Sequence, residues 1–277
     1  MKDSSEQQET LTPRVQAIVS APSVVSFGAG TNSTAILQGM LERGERPDAI
    51  LFADTGGEKP GTYRHLLRMQ IWTVLHDFPD ITVVRYSDTS RHASLEDECH
   101  NNGTLPSKAF GFGGCSQKWK RYPMDKWVKA WPAAQAAWEQ GQRVQRIIGI
   151  HYGETRRGKI PDDAQFTYRF PLREWKWKQE ECEAACVRAC GYVPEKSACF
   201  YCPAMRKPEV LALAKEHPDL FQRAVEMEQN AREAGGLDVV KGLGRHWSWE
   251  NLIKADNAQM RLFVEDRLPM CETCVDW

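Results

Sequence analysis

No stretch of the 277 residues approaches the roughly 20 consecutive apolar residues that a membrane-spanning helix requires, so no membrane role is expected. The first residues, Met1 to Gln16, are polar and acidic and contain no apolar core of a secretory leader, which favours a cytoplasmic location. Neither sign of charge predominates. With 36 Lys and Arg against 37 Asp and Glu, the formal net charge is −1. No global field therefore draws the chain onto nucleic acid, although local basic clusters stay open. Internal repeats and low-complexity tracts are absent, which sets aside repeat architectures. Disulfides are not expected in the cytoplasm. The nine cysteines, seven of them after residue 180, then read as metal, cluster or redox chemistry.

What is present is an alternation of strands and helices. Apolar residues make up 42% of the chain, enough for a full core in one large domain or a main domain with an appendage. Val24–Phe27, Ala49–Ala53, Ile81–Tyr86 and Arg146–Ile150 read as strands, the second as a continuous apolar run suited to a parallel strand covered on both faces. Helices are expected from Thr31 to about Arg43, from Pro60 to about Asp77, and from about Ser116 toward Trp131. Three more are expected over 180–190, 208–216 and 218–234. Such a pattern predicts a doubly wound α/β sheet with right-handed crossovers. We divide the chain into a lead-in (1–20), a nucleotide-binding α/β domain (21–175) and a helical Cys-rich region packed on it (176–277).

The first strand ends in Ser26-Phe27-Gly28-Ala29-Gly30-Thr31-Asn32-Ser33-Thr34. Glycines there let the backbone approach a ligand, and the helix that follows offers unpaired N–H groups and the positive end of its dipole. That combination favours a phosphate. A Walker loop requires Gly-Lys-Ser/Thr, and no lysine is present. A dinucleotide fingerprint is met only as Gly28-x-Gly30-x-x-Ser33, with Asp54 at a distance suited to a ribose. The remaining reading is a pyrophosphate loop of the Ser-Gly-Gly-x-Asp-Ser kind.

Four further blocks favour that third reading. They are Phe52-Ala53-Asp54-Thr55-Gly56-Gly57-Glu58-Lys59-Pro60, Gly114-Cys115-Ser116-Gln117-Lys118-Trp119-Lys120-Arg121-Tyr122-Pro123, Gly149-Ile150-His151-Tyr152-Gly153-Glu154-Thr155-Arg156-Arg157 and Ser197-Ala198-Cys199-Phe200-Tyr201-Cys202-Pro203. In this order, over about residues 22–205, they resemble the phosphoadenosine phosphosulfate (PAPS) reductase family of the ATP pyrophosphatase (PP-loop) superfamily. Within it the chain looks most like the sulfur-activating proteins of DNA phosphorothioation and their phage-borne relatives. The resemblance implies a HUP-like, mostly parallel five-stranded sheet with a Cys-rich helical C-terminal part. It also implies that Ser26, Gly28, Gly30, Thr31, Asn32, Ser33 and Thr34 hold the phosphates of ATP or PAPS with Mg²⁺. Thr31 and Asn32 stand where the relatives usually carry Lys and Asp. Asp54 and Thr55 are expected beside the nucleoside, Asp54 alternatively as a metal contact or as the cap of the next helix.

Lys118, Arg156 and Arg157 are candidates to stabilise charge at the reacting phosphorus or sulfur, and Glu154 to orient an arginine or hold magnesium. Cys199-x-x-Cys202 has the spacing of a metal knuckle. Cys190-x8-Cys199-x2-Cys202 resembles the cluster segment of the phosphorothioation proteins, which with Cys115 implies a 4Fe–4S site. A zinc site of Cys199, Cys202, Cys271 and Cys274 is the alternative, since paired CxxC motifs are its usual format. Arg245-His246-Trp247-Ser248-Trp249 mixes cations with aromatics in a way that suits stacking on a base.

Three functions follow as expectations. The first is ATP α–β cleavage that activates an acceptor, DNA or RNA, for sulfur delivered by a donor protein. The second is reduction of PAPS, with Cys271 or Cys274 as a thiol. The third is a nucleotide- or DNA-binding module without turnover.

Overall fold

The computed structural model describes residues 21–154 and 160–256. The lead-in, Arg156 and Arg157, and the Cys271–Cys274 pair lie outside the described residues. Five strands, β1 (Ser23–Ser26), β2 (Ala49–Asp54), β3 (Ile81–Arg85), β4 (Val144–Ile148) and β5 (Phe166–Arg169), form one sheet in the order β3-β2-β1-β4-β5. Every neighbouring pair is parallel. Helices follow the strands as α1 (Thr31–Glu42), α2 (Pro60–Leu75), α3 (Leu95–Asn101), the single turn α4 (Gly114–Ser116), α5 (Tyr122–Ala130) and α6 (Pro132–Glu139). The chain then adds α7 (Pro171–Glu174), α8 (Gln179–Cys190), α9 (Lys207–Glu216) and α10 (Pro218–Glu233). No helix among the described residues is long and apolar enough to cross a membrane.

Alternation along the strands divides the core. Val25, Ile50 and Phe52 point to one face, where they meet Ile36 and Leu37 of α1, Met69 of α2 and Ala185 of α8. Val24, Ala49 and Leu51 point to the other, against Val128 of α5 and Ala134 of α6. All six residues of β2 are buried, as a parallel strand covered on both faces must be. A third cluster joins Leu95, Cys99 and Trp119, from the segment between β3 and β4, to Phe200, Met227 and Trp249. The described part of the Cys-rich region is thus shared out, α8 on the sheet and α9 and α10 on this third cluster.

Strand β5 and helix α3 are among the elements that the periodicity argument did not contain. Strand β5 has four residues, of which only Phe166 is buried, so it shows neither alternation nor an apolar run. Helix α3 is marked by its cap rather than by periodicity: Ser94 Oγ accepts from the Asp97 N–H at 3.0 Å, and Glu96, Asp97 and Glu98 fill the first turn. The basic helix expected from Ser116 begins instead with a π-helical turn, Gln117–Arg121, which sends Trp119 into the third cluster.

His65 of α2 ties the two helices of the first face to the loop. Its Nε2 lies 2.8 Å from Thr34 Oγ1 and its Nδ1 2.7 Å from the Tyr192 hydroxyl. Burial, with the nearby Arg68 charge, pushes its pKa down to about 4. Below about pH 6.5 the unfolded chain takes up a proton that the folded chain refuses. Stability is therefore expected to fall by about 3 kcal/mol as pH drops from 6.5 to 4, and then to level off. Thermal unfolding across that range tests this, and His65→Gln is expected to flatten that limb.

Candidate nucleotide site

In this strand order the chain leaves β1 and β4 in opposite directions, so a crevice opens outside their carboxyl ends. Helix α1 begins there. Its cap residue Gly30 is extended (φ −130°), and its first turn contains no acidic residue. The N–H groups of Thr31, Asn32 and Ser33 have no carbonyl within the helix to meet, because the first helical bond is Thr34 N–H to Gly30 O at 3.1 Å.

The bend itself falls on Ala29, which adopts the left-handed conformation at φ 52° while buried. A Cβ at that angle costs about 1 kcal/mol or more, and such strain is commonly held at functional sites. Gly28 and Gly30 serve a different end. A Cβ at Gly30 would sit 3.3 Å from Ser197 Cβ, and the Ser197 hydroxyl donates to Gly28 O. The glycines make room for the segment that leads into Cys199.

A cavity of about 700 Å³ results. Ser26, Gly28 and Gly30–Ser33 form one wall, Gly149, His151 and Glu154 after β4 a second, and Lys196, Ser197 and Arg206 a third. Asn32 Nδ2 donates to Gly149 O at 3.3 Å and to Glu154 Oε1 at 3.1 Å, and His151 Nε2 lies 3.6 Å from the same carboxylate oxygen. A Cβ at Gly149 would come within 3.2 Å of Asn32, so this glycine is what lets α1 approach β4.

A smaller cavity of about 260 Å³ lies beside it, also bordered by Ser26 and Gly28. Phe52, Ala53 and Ile148 make it apolar, while Lys120, Arg121 and Arg146 edge it. The Arg146 side chain is only 5% exposed. Its Nη1 reaches Asp125 Oδ1 at 2.6 Å, whereas its Nε and Nη2 are buried without a partner.

Of the expected nucleotide contacts, Ser26, Gly28, Gly30, Thr31, Asn32 and Ser33 are brought to the larger cavity, together with Glu154, expected to orient an arginine or hold magnesium. Three are not. Thr34 is buried with its hydroxyl on His65. The Asp54 carboxylate is occupied by the Gly56 N–H (2.9 Å), the Tyr63 hydroxyl (2.8 Å) and Arg85 Nε (3.1 Å). Nor does Asp54 cap α2, whose cap is Lys59. Thr55 is turned inward, its Oγ1 lying 3.1 Å from Cys199 Sγ.

Lys118 pairs with Glu98 and lines a separate cavity beside Cys115, because the π-helical turn swings it away from the crevice. The cations at the crevice on this segment are Lys120 and Arg121, of which Lys120 binds Glu58 Oε1 at 2.7 Å. Burial would lower the Lys120 pKa, but the Glu58 carboxylate outweighs it and raises the value above that of an ordinary lysine. Sequence reasoning passed over Lys196, Ser197 and Arg206. Their only signal was proximity to Cys199-x-x-Cys202.

The expected metal ligands divide. Cys199 is docked on the loop after β2, with Phe200 N–H bonded to Gly57 O at 2.8 Å, and Cys115 and Cys202 pack against the same third cluster. Cys99 is buried within that cluster as well. Cys190 lies elsewhere, its thiol donating to Cys186 O (3.1 Å) and facing Tyr192 O and Arg68. The interruption of α8 at Gly191 turns the chain before it reaches the knuckle. Burial pushes the Cys99 and Cys199 thiols up to about 12, so both are protonated. Among the described residues no three His, Cys, Asp or Glu side chains converge to hold a metal ion. The described residues as arranged do not fit the implied cluster.

No protein-family model matches the chain, and no curated protein matches it. Among solved structures the chain is similar to U34-tRNA thiolase NcsA from Methanococcus maripaludis with its 4Fe-4S cluster. The TM-score is 0.40 and the identity 10%, over 79% of this chain and 74% of that one.

Proposed function

We propose that this chain is an ATP pyrophosphatase-type enzyme that cleaves the α–β bond of ATP and activates an acceptor for sulfur transfer. The observation that carries the reading is the unpartnered first turn of α1 at the crevice between β1 and β4, with a polar cavity on one side and an apolar, cation-edged one on the other. In this reading the triphosphate lies in the larger cavity, against the Thr31–Ser33 N–H groups, with Lys196 and Arg206 across from it. The base and ribose lie in the smaller one, against Phe52 and Ile148. Attack of the acceptor on the α-phosphorus expels pyrophosphate, and the fixed N–H dipoles and cations stabilise the charge that builds on the leaving oxygens. Glu154 and Asn32 offer hard oxygen donors of the kind that Mg²⁺ accepts. The acceptor is DNA or RNA, and a donor protein supplies the sulfur. No step is routed through an iron–sulfur or zinc centre.

A second reading, nucleotide binding without turnover, is favoured by one observation: Asn32 is committed to Gly149 and Glu154 where relatives carry a charged residue. One assay separates the two. Incubation with Mg²⁺ and ATP, with and without single-stranded DNA or RNA, is expected to release AMP and pyrophosphate, separated chromatographically. Tight ATP binding with neither product supports the second reading. Absence of both binding and products removes the two together.

A further inference from the structure

We propose that the loop 241–249 and the start of α9 form a platform for single-stranded nucleic acid, placed to feed an acceptor into the nucleotide cleft. The proposal deepens the reading above and rests on it for the acceptor's role. Lys207, Arg232, Lys241, His246 and Trp247 line a cavity of about 580 Å³. Neither Lys207 nor Lys241 makes an ion pair among the described residues. Glu250, the carboxylate of that wall, is taken by Lys254 at 2.7 Å. In a chain of net charge −1 such a group creates a local positive field that the composition hides.

Aromatic surface accompanies the charge. Lys207 Nζ stands 5.7 Å from the centroid of the half-buried Trp247 ring. A base stacked on an indole with its phosphate on an ammonium is the usual arrangement of sequence-tolerant single-strand binding. A duplex keeps its bases stacked on one another and has no face to offer the ring.

The loop is held rigid from below. Glu228 is fully buried, and its carboxylate accepts the N–H groups of Leu243 (2.6 Å) and Trp249 (3.0 Å). A Cβ at Gly242 would fall 2.3 Å from that carboxylate, and one at Gly244 2.2 Å from the Trp247 ring. Arg245 adopts the left-handed conformation at φ 65°. Trp249 is fully buried in the third cluster, whereas Trp247 packs against that cluster and stays half-buried, so of the two tryptophans in the basic-aromatic motif Trp247 is the one available to a ligand. The platform also adjoins the cleft: Arg206 lines the nucleotide cavity and Lys207, the next residue, lines the platform.

Fluorescence anisotropy of labelled single-stranded oligonucleotides, DNA and RNA of one sequence, titrated with the full chain across a range of salt, tests this. Binding is expected, with Trp247→Ala weakening it roughly tenfold or more and Trp247→Phe retaining most of it. Lys207→Ala and Lys241→Ala are each expected to lower the salt slope by about 0.7. The duplex of the same sequence is expected to bind more weakly and to ignore Trp247→Ala. Unchanged binding by the variants, or equal binding of duplex and single strand, overturns the platform. The two readings fail separately. AMP formation without oligonucleotide binding removes the platform alone. Trp247-dependent binding without AMP formation leaves the platform and removes the acceptor role.

Discussion

Thr31→Glu is expected to weaken ATP binding by about 100-fold while leaving the fold as stable as before, or slightly more so. Thr31 is the first residue of α1 and lines the larger cavity. A carboxylate there stands within a few ångströms of the proposed phosphates. At an effective dielectric of about 20, one such like-charge pair at 4 Å costs about 4 kcal/mol before salt screening. A net loss of about 2.7 kcal/mol corresponds to the expected factor of 100. The helix responds in the opposite sense, because an acid in the first turn complements the dipole and contributes about 0.3–1 kcal/mol of stability. The opposed signs make the test selective: a misfolded variant loses both properties, a blocked site only one. Isothermal calorimetry and thermal unfolding measure the two, with Thr31→Val as the uncharged control. If Thr31→Glu binds ATP as tightly as the parent, the triphosphate does not lie at this helix.

The second large effect lies at Lys120. The Glu58 side chain is completely buried, and its Oε1 accepts from Lys120 at 2.7 Å while Oε2 has no partner. The same carboxylate sits beside Cys199, to which the Glu58 backbone is bridged. Lys120→Met leaves a carboxylate in the interior without its counter-charge. Removing one member of a buried pair costs about 3 kcal/mol or more, which in a chain of this size lowers the unfolding midpoint by roughly 6–12 °C. Adding Glu58→Gln removes the orphaned charge, so the double variant is expected to recover most of the loss. A double-mutant cycle by thermal unfolding reads this directly. Additive losses would show that the pair is not coupled.

The same pair bears on the candidate chemistry. Lys120 edges the smaller cavity, and its charge lowers the otherwise raised thiol pKa values of Cys199 and Cys202. This ion pair, half-buried at Lys120 and fully buried at Glu58, thus links the proposed nucleoside pocket to the knuckle. Thr55 and Ser197 extend that link, one against the Cys199 thiol and the other against Gly28 O. The knuckle is held as a strap across the strand ends.

The sheet was legible in the sequence because β2 is a near-continuous apolar run, as a strand buried on both faces requires, and short apolar stretches alternate with helical patterns on either side of it. The loop at Gly28–Ser33 was legible for a similar reason. A strand, a glycine turn and a helix start without acids form a local pattern, and local patterns survive folding. Strand β5 was not legible, since its pairing with β4 comes from backbone hydrogen bonds that impose no side-chain pattern on a mostly half-buried edge. Side-chain direction was less legible still. Thr34 and Ser33 are neighbours of similar chemistry, yet a helix turns about 100° per residue, so Ser33 faces the cavity and Thr34 faces His65. Lys118 was expected at the crevice and lies away from it because a π-helical turn, which buries Trp119, altered the phase of the helix and left Lys120 and Arg121 at the crevice instead. Cys190 left the group of expected ligands because Gly191 ends α8 in the left-handed conformation (φ 80°), while Cys99 and Cys199, 100 residues apart in sequence, entered one core. Strand runs, helix caps and glycine turns depend on neighbours in the chain, and the sequence carries them. Which hydroxyl, cation or thiol meets another depends on packing between segments far apart in the chain, and only the folded core decides it.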